Sequence, residues 1–227
     1  MQRIFDIIFS SIALLLLAPL LLLLMFILRV TGEGKIFFQQ NRVGRGGKYF
    51  KLYKFATMLK DSPNIGTGTV TVKNDPRILP FGGLLRKTKI NELPQLVNIF
   101  KGDMSFIGPR PQTRRCFDAF PESAQNDISN VRPGLSGIGS VVFRSEEDMM
   151  HANADPDQLY DDVIMPYKGK LESWYVRNNS VCNYLILIAL TILVILTRST
   201  RLIFLCYNSL PRPPEDLSSF ITSDYYE

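Results

Sequence analysis

Residues 7–28 read IIFSSIALLLLAPLLLLLMFIL, with no charged residue and only Ser10 and Ser11 polar. A helix needs roughly 20 apolar residues to cross a bilayer core, so the stretch is long enough to enter a membrane. It is too long for the core of a signal peptide, and no small-residue cleavage pattern follows. Pro19 sits near its middle and leaves the carbonyl of Leu15 without a helical partner, which favours a kink. Arg3 precedes the stretch, and Arg29, Lys35, Arg42 and Arg45 follow it. Basic residues prefer the cytoplasmic side. A single crossing exports Arg3, whereas a re-entrant helix keeps both flanks inside. Composition leaves both topologies open.

Beyond this helix the chain reads like an ordinary folded domain. After a short apolar run at Ile36–Gln39, Gly44, Gly46 and Gly47 mark a turn, and Tyr49–Phe55 alternates. That pattern predicts a small β-hairpin or two short strands. The glycines fit neither a Walker loop nor a dinucleotide fingerprint. Residues 61–75 are rich in Gly, Thr, Ser and Asn and read as a loop. Leu93, Leu96, Val97 and Phe100 recur at helical spacing, with Asn91 as N-cap and Glu92 and Pro94 in the first turn. A helix start of this kind attracts phosphate, with Arg86 and Lys87 just upstream, yet on the residues alone the simpler reading is a capped amphipathic helix with a polar start.

Further along, Thr113–Asn130 predicts a helix broken near Pro121. Asp155 and Gln158 open another, with Tyr160, Val163, Ile164, Tyr167, Leu171, Trp174 and Tyr175 on one face. Those aromatics suit an interfacial belt or core packing alike. Tyr184–Leu196 is short for a crossing and reads as an interfacial helix, interrupted at 197–201. The segment from Pro211 is rich in Pro, Ser and acidic residues and reads as flexible. The expected organisation is a membrane helix (1–31), a cytoplasmic-face catalytic domain (32–180), a membrane-associated helix (181–210) and a tail (211–227). The fold class is α+β, mainly helical.

The chain has 227 residues and a formal net charge of +5, which suits anionic partners such as lipid headgroups, phosphates or nucleotides. Its three cysteines have no metal spacing, and His151 is its one histidine. A lone histidine in a polar stretch argues against a histidine-based triad and against multi-histidine metal sites, so chemistry falls mainly to carboxylates. A basic, membrane-tethered nucleic-acid or scaffold protein has only the charge in its favour, because no nucleic-acid motif accompanies it.

RIFDIIFS (3–10), FFQQNRVGRGGKYFKLYKF (37–55), NDPRILPFGGLLRKT (74–88), NELPQLVNIFKGDMSFIGPRP (91–111) and VRPGLSG (131–137) together resemble the bacterial sugar transferase family, the monotopic polyprenyl-phosphate phosphoglycosyl transferases. The resemblance covers roughly residues 1–200. It implies a re-entrant helix breaking at Pro19, with both ends at the cytoplasmic face of the bacterial inner membrane and amphipathic helices at the interface. It also implies transfer of a sugar phosphate from a UDP-sugar to polyprenyl phosphate, with Mg2+, to start a lipid-linked glycan. Downstream glycosyltransferases and membrane lipids are the implied partners, and nucleic acid is not. Glu92 would be the second member of a catalytic dyad and the metal ligand, and Arg86 would join the catalytic group. Arg110, Lys54 and Asp103 would serve phosphate or substrate binding, and Asp75 would take a supporting role.

Three departures stand out. Ala18-Pro19 replaces the usual Ser-Pro, and Ala56 replaces an arginine. Asn91 stands where the family has its nucleophilic aspartate. An amide caps a turn as well as a carboxylate does but is a poor nucleophile at phosphorus. Three explanations follow: displacement by Glu92 or another carboxylate, an altered aspartate in a normally active enzyme, or an inactive paralogue that binds substrate or organises a glycan-assembly complex.

Overall fold

In the computed structural model, residues 1–31, 33–62, 75–144, 156–197 and 199–222 are described. The expectations for His151, Asp155 and residues 63–74 of the loop lie outside the described residues. Two compact units emerge: Phe5–Asn41 with Lys51–Lys101, and Met1–Ile4 with Arg42–Phe50 and Gly102–Glu227.

α1 spans Gln2–Val30 and contains Pro19 without an interruption of its helical run. Ser10 and Ser11 satisfy their hydroxyls within the helix, donating to Asp6 O (2.5 Å) and Ile7 O (2.7 Å). Leu15 and Leu16 are largely exposed, whereas Leu24 and Leu28 pack with Phe55 and Leu85. Burying each such side chain contributes roughly 1.5–3 kcal/mol. β1 (Phe37–Val43) and β2 (Tyr49–Phe55) form the expected hairpin. Gly46 and Gly47, both at φ +70°, turn its tip in the left-handed region where side chains are disfavoured.

α2 (Gly82–Lys87) and α3 (Gln95–Lys101) complete the first unit. Gly82 is compulsory there, because a Cβ would lie 2.2 Å from the Thr57 carbonyl oxygen. The expected apolar stripe of α3 needs correction. The buried face is Gln95, Leu96, Asn98 and Ile99, while Val97 and Phe100 are exposed. Helical periodicity is satisfied by either face here, and hydrogen bonds to Asn98 select the one that turns inward.

In the second unit, β3 (Ser105–Ile107) pairs in parallel with a strand further along the chain. The helical segment expected over 113–130 is α4 (Arg114–Asp118) and α5 (Glu122–Ser129), divided at Pro121, with Thr113 Oγ1 accepting from Cys116 N. β4 (Gly134–Ser136) is the partner of β3, in register Ser105↔Gly134 and Ile107↔Ser136. α6 (Ile138–Val142) follows. α7 (Pro156–Leu159), a π-helical turn (Tyr160–Ile164) and α8 (Met165–Arg177) run on without a gap. Ile164, Tyr167, Leu171 and Tyr175 are buried, so their face packs into the unit.

α9 (Val181–Thr197) buries Tyr184, Leu187, Leu190 and Val194 and exposes Ile192, Ile195 and Leu196. α10 (Arg201–Cys206) follows the expected interruption. The segment expected to be flexible instead forms α11 (Glu215–Thr222), with Leu217 and Ile221 buried. Pro213 and Pro214 precede its first turn, Glu215 and Asp216 suit a helix N-terminus, and the two apolar residues stand one turn apart. Tyr167 Oη donates to Pro211 O (2.9 Å) and Trp174 Nε1 to Ser209 Oγ (3.1 Å), which fastens this segment to α8.

Candidate active site

In the first unit, β2 and α3 are joined by one side chain. Asn98 Oδ1 accepts from Tyr53 N–H (3.0 Å), and its Nδ2 donates to Lys51 O (2.8 Å). Asn98 thereby occupies the backbone positions where another strand would pair. Just ahead of α3, Glu92 meets Lys54 of β2, with Nζ 2.9 Å from Oε1 and side chains 21% and 14% exposed. Partial burial strengthens this pair over a surface one, while the residual exposure leaves a substrate room to reach it.

Asn91 and Glu92 lie in a 3-10 turn, Ile90–Glu92. Asn91 is therefore not the α-helix N-cap expected from sequence. Lys89 enters the turn in the left-handed conformation (φ 59°) and its carbonyl accepts the Glu92 N–H at 3.0 Å. Pro94 delays the α-helix to Gln95 because it brings no N–H of its own. Asn91 is only 7% exposed, and its Oδ1 has no hydrogen-bond partner among the described residues. A dry carbonyl oxygen is costly, by roughly 1–3 kcal/mol, unless a ligand engages it.

Arg86 ends α2, with Nη1 3.7 Å from Met58 Sδ. Asp75 and Arg77 form a buried pair, joined at Oδ1–Nε (2.8 Å) and Oδ2–Nη2 (2.5 Å). Arg77 also donates to Ser62 O (2.8 Å). Asp75 thus closes a loop rather than facing a ligand. Lys54, Arg86, Asn91 and Glu92 all belong to this unit; Asp103 and Arg110 belong to the other.

In the second unit, two sequence motifs meet backbone to backbone. Gly108 N donates to Ser136 O (2.9 Å), and Gly134 N donates to Pro109 O (2.8 Å). A Cβ at Gly134 would lie 2.2 Å from Gly108 N, and one at Gly137 would lie 2.2 Å from Gly108 O. Any side chain at either position would push the Gly108–Pro111 turn away. Arg110 leaves this turn half-buried, and Asp103 stands half-buried beside Gly102, before β3. Beneath the turn lies α8. Tyr175 Oη donates to Ile107 O (3.2 Å), and the buried Glu172 carboxylate accepts the Arg110 backbone N–H. Burial pushes Glu172 up to about 8, opposed by the charges of Lys168 and Arg110. Sequence reading missed Asn98 and Glu172; a polar residue on an apolar helix face was the available signal for both.

Among the described residues, no group of three His, Cys, Asp or Glu side chains could hold a metal ion. Glu92 and Asn91 Oδ1, on residues next to each other in sequence, are nevertheless both hard oxygen donors. That set fits Mg2+, which takes one or two protein oxygens and completes its shell with water and phosphate.

A family model described as bacterial sugar transferase matches residues 1–198. Exopolysaccharide production protein ExoY of Rhizobium meliloti is 32% identical over 187 residues, covering 74% of this chain and 82% of its own length. UDP-N-acetylgalactosamine-undecaprenyl-phosphate N-acetylgalactosaminephosphotransferase of Aeromonas hydrophila is 34% identical over 198 residues, covering 86% of this chain but 44% of its own length. A putative undecaprenyl-phosphate N-acetylgalactosaminyl 1-phosphate transferase of Bacillus subtilis is 41% identical over 147 residues, 65% of this chain and 79% of that protein. The chain thus spans most of two of these relatives and less than half of the Aeromonas protein.

Proposed function

The chain belongs to the bacterial sugar transferase family, and from that membership we propose that it transfers a sugar-1-phosphate from a UDP-sugar to undecaprenyl phosphate, initiating a lipid-linked glycan. The observation that carries this reading is the family match over residues 1–198, within which Glu92 is held by Lys54 beside the dry Asn91 amide. Names of relatives support an undecaprenyl-phosphate acceptor and a sugar donor. The reading of an impaired paralogue has no observation of its own.

In this reading Glu92 is the carboxylate that acts as nucleophile. Its oxygen attacks the β-phosphorus of the UDP-sugar, the bond from that phosphorus to the bridging oxygen breaks, and UMP leaves with that oxygen. An oxygen of undecaprenyl phosphate then attacks the same phosphorus and returns Glu92 to a carboxylate. Lys54 screens Glu92 from the incoming phosphates. Asn91, being neutral, serves as a hydrogen-bonding group rather than a nucleophile. Arg86 and Arg110 offer planar forks for phosphate oxygens. Glu92 and Asn91 would hold Mg2+, which when bound offsets the diphosphate charge.

The membrane reading places the protein at the cytoplasmic face with α1 re-entrant. Within one unit, Gln2 is held by Asn179 and the Arg3 guanidinium lies over Gly102; within the other, Leu24 and Leu28 pack against Phe55 and Leu85. A re-entrant helix keeps the basic residues that flank the apolar stretch on one side of the membrane. The exposed apolar side chains of α1 and α9 supply the surface that lipid would cover.

UMP release from UDP-galactose, UDP-glucose and UDP-N-acetylgalactosamine, measured in nanodiscs with undecaprenyl phosphate and Mg2+, tests the function. Turnover that disappears in Glu92→Gln is the expected outcome. Turnover that appears only in Asn91→Asp would remove Glu92 from the nucleophile's role. Silence from both chains would reject the reading for these donors.

A further inference from the structure

α8 carries two charged side chains away from water. Lys168 is 2% exposed and Glu172 1%, one helical turn apart. Glu172 accepts the Arg110 backbone N–H, while its Oε2 has no hydrogen-bond partner among the described residues. Its Oε1 would lie 2.4 Å from a Cβ at Gly139, so α6 can approach the carboxylate only because that residue is glycine. The Lys168 ammonium sits 5.1 Å from the Phe143 ring centroid. Two helices therefore close around a half-satisfied carboxylate whose identified hydrogen-bond partner is the turn carrying Arg110. Ionisable groups buried this deeply are a weak source of stability, since apolar residues of similar volume often do as well. Its placement fits a task on the Gly108–Pro111 turn better than a task in the core.

We propose that Glu172 is a positioning residue that fixes the Gly108–Pro111 turn from below, and so sets where the Arg110 guanidinium meets the anionic donor. Tyr175, one turn further on, fixes the same segment through Ile107 O (3.2 Å). The link from turn to donor rests on the phosphate-binding role proposed for Arg110; the link from Glu172 to turn does not.

Two readouts on the full-length protein in nanodiscs separate these links: amide hydrogen exchange across residues 107–112 and the donor KM for UMP release. Glu172→Gln keeps a carbonyl oxygen for the Arg110 N–H, so exchange and KM should stay within about threefold of the parent. The double variant Lys168→Met/Glu172→Met keeps the volume but removes the acceptor. It should raise exchange and donor KM by about tenfold or more while melting within a few degrees of the parent. If the double variant does not fold, Glu172→Ala carries the same comparison. Unchanged exchange in the acceptor-free variant overturns the proposal. A rise in exchange with unchanged KM in a turning-over enzyme overturns the link to the donor. A parent and an Asn91→Asp chain that both release no UMP reject the transferase reading for these donors, and the exchange result still decides whether Glu172 holds the turn.

Discussion

Asn91 keeps the shape of an aspartate while giving up its charge. In its place, 7% exposed and with a dry Oδ1, Asn91→Asp would set a second carboxylate beside Glu92. Like charges so close resist ionisation, so the variant should melt lower and depend more steeply on Mg2+. Lys54→Met removes the cation 2.9 Å from Glu92 and should slow UMP release by roughly tenfold to a hundredfold, about 1–3 kcal/mol. An unchanged rate would remove Lys54 from the site.

Glu172 yields a pH prediction. Its folded value is raised to about 8, so the folded protein holds that proton more tightly than the unfolded chain does. The resulting stability is fully present below the ordinary glutamate range, near pH 4.3, and is lost as pH rises through about 8. Melting temperature should therefore fall across that window in the parent and much less in Glu172→Gln. A parallel fall in both would assign the slope to other groups. From sequence, the Glu92 neighbourhood was legible through its motif, whereas nothing local marked Lys54 as its partner, 38 residues away.

At the level of elements, strain and close approach sit where the site is built. Lys89 holds a left-handed conformation at the entrance to the Asn91–Glu92 turn. Lys89→Gly should stabilise the fold by up to about 1 kcal/mol in urea titration, because glycine adopts that conformation at no steric cost. A loss of stability would mean that the lysine side chain makes compensating contacts. Gly82→Ala acts in the opposite sense. Its methyl would meet the Thr57 carbonyl oxygen at 2.2 Å, which should cost about 1–3 kcal/mol and loosen Arg86 at the other end of α2. The hairpin, the break at Pro121 and the interruption after Thr197 were all legible, since turn residues and proline act locally. The inward face of α3 and the order of α11 were not, because both depend on what the helix meets.

For the whole molecule, the re-entrant reading is the prediction with the widest reach. Single cysteines placed near Met1 and near Ile36, in a chain without Cys116, Cys182 and Cys206, should both resist a membrane-impermeant thiol reagent in intact spheroplasts. Both should react after permeabilisation. Labelling of the Met1 site alone in intact spheroplasts would establish a crossing instead.

The sequence by itself determined an apolar helix able to enter a membrane, a mainly helical α+β domain and the family. These follow from composition, periodicity and motif, which are short-range properties of the chain. The tertiary structure alone decided that Lys54 faces Glu92, that Asn98 ties β2 to α3, that Asn91 is dry within a 3-10 turn, and that Glu172 lies under Arg110. Each of these depends on which surfaces exclude water together, and burial between distant segments leaves no periodic trace in either one.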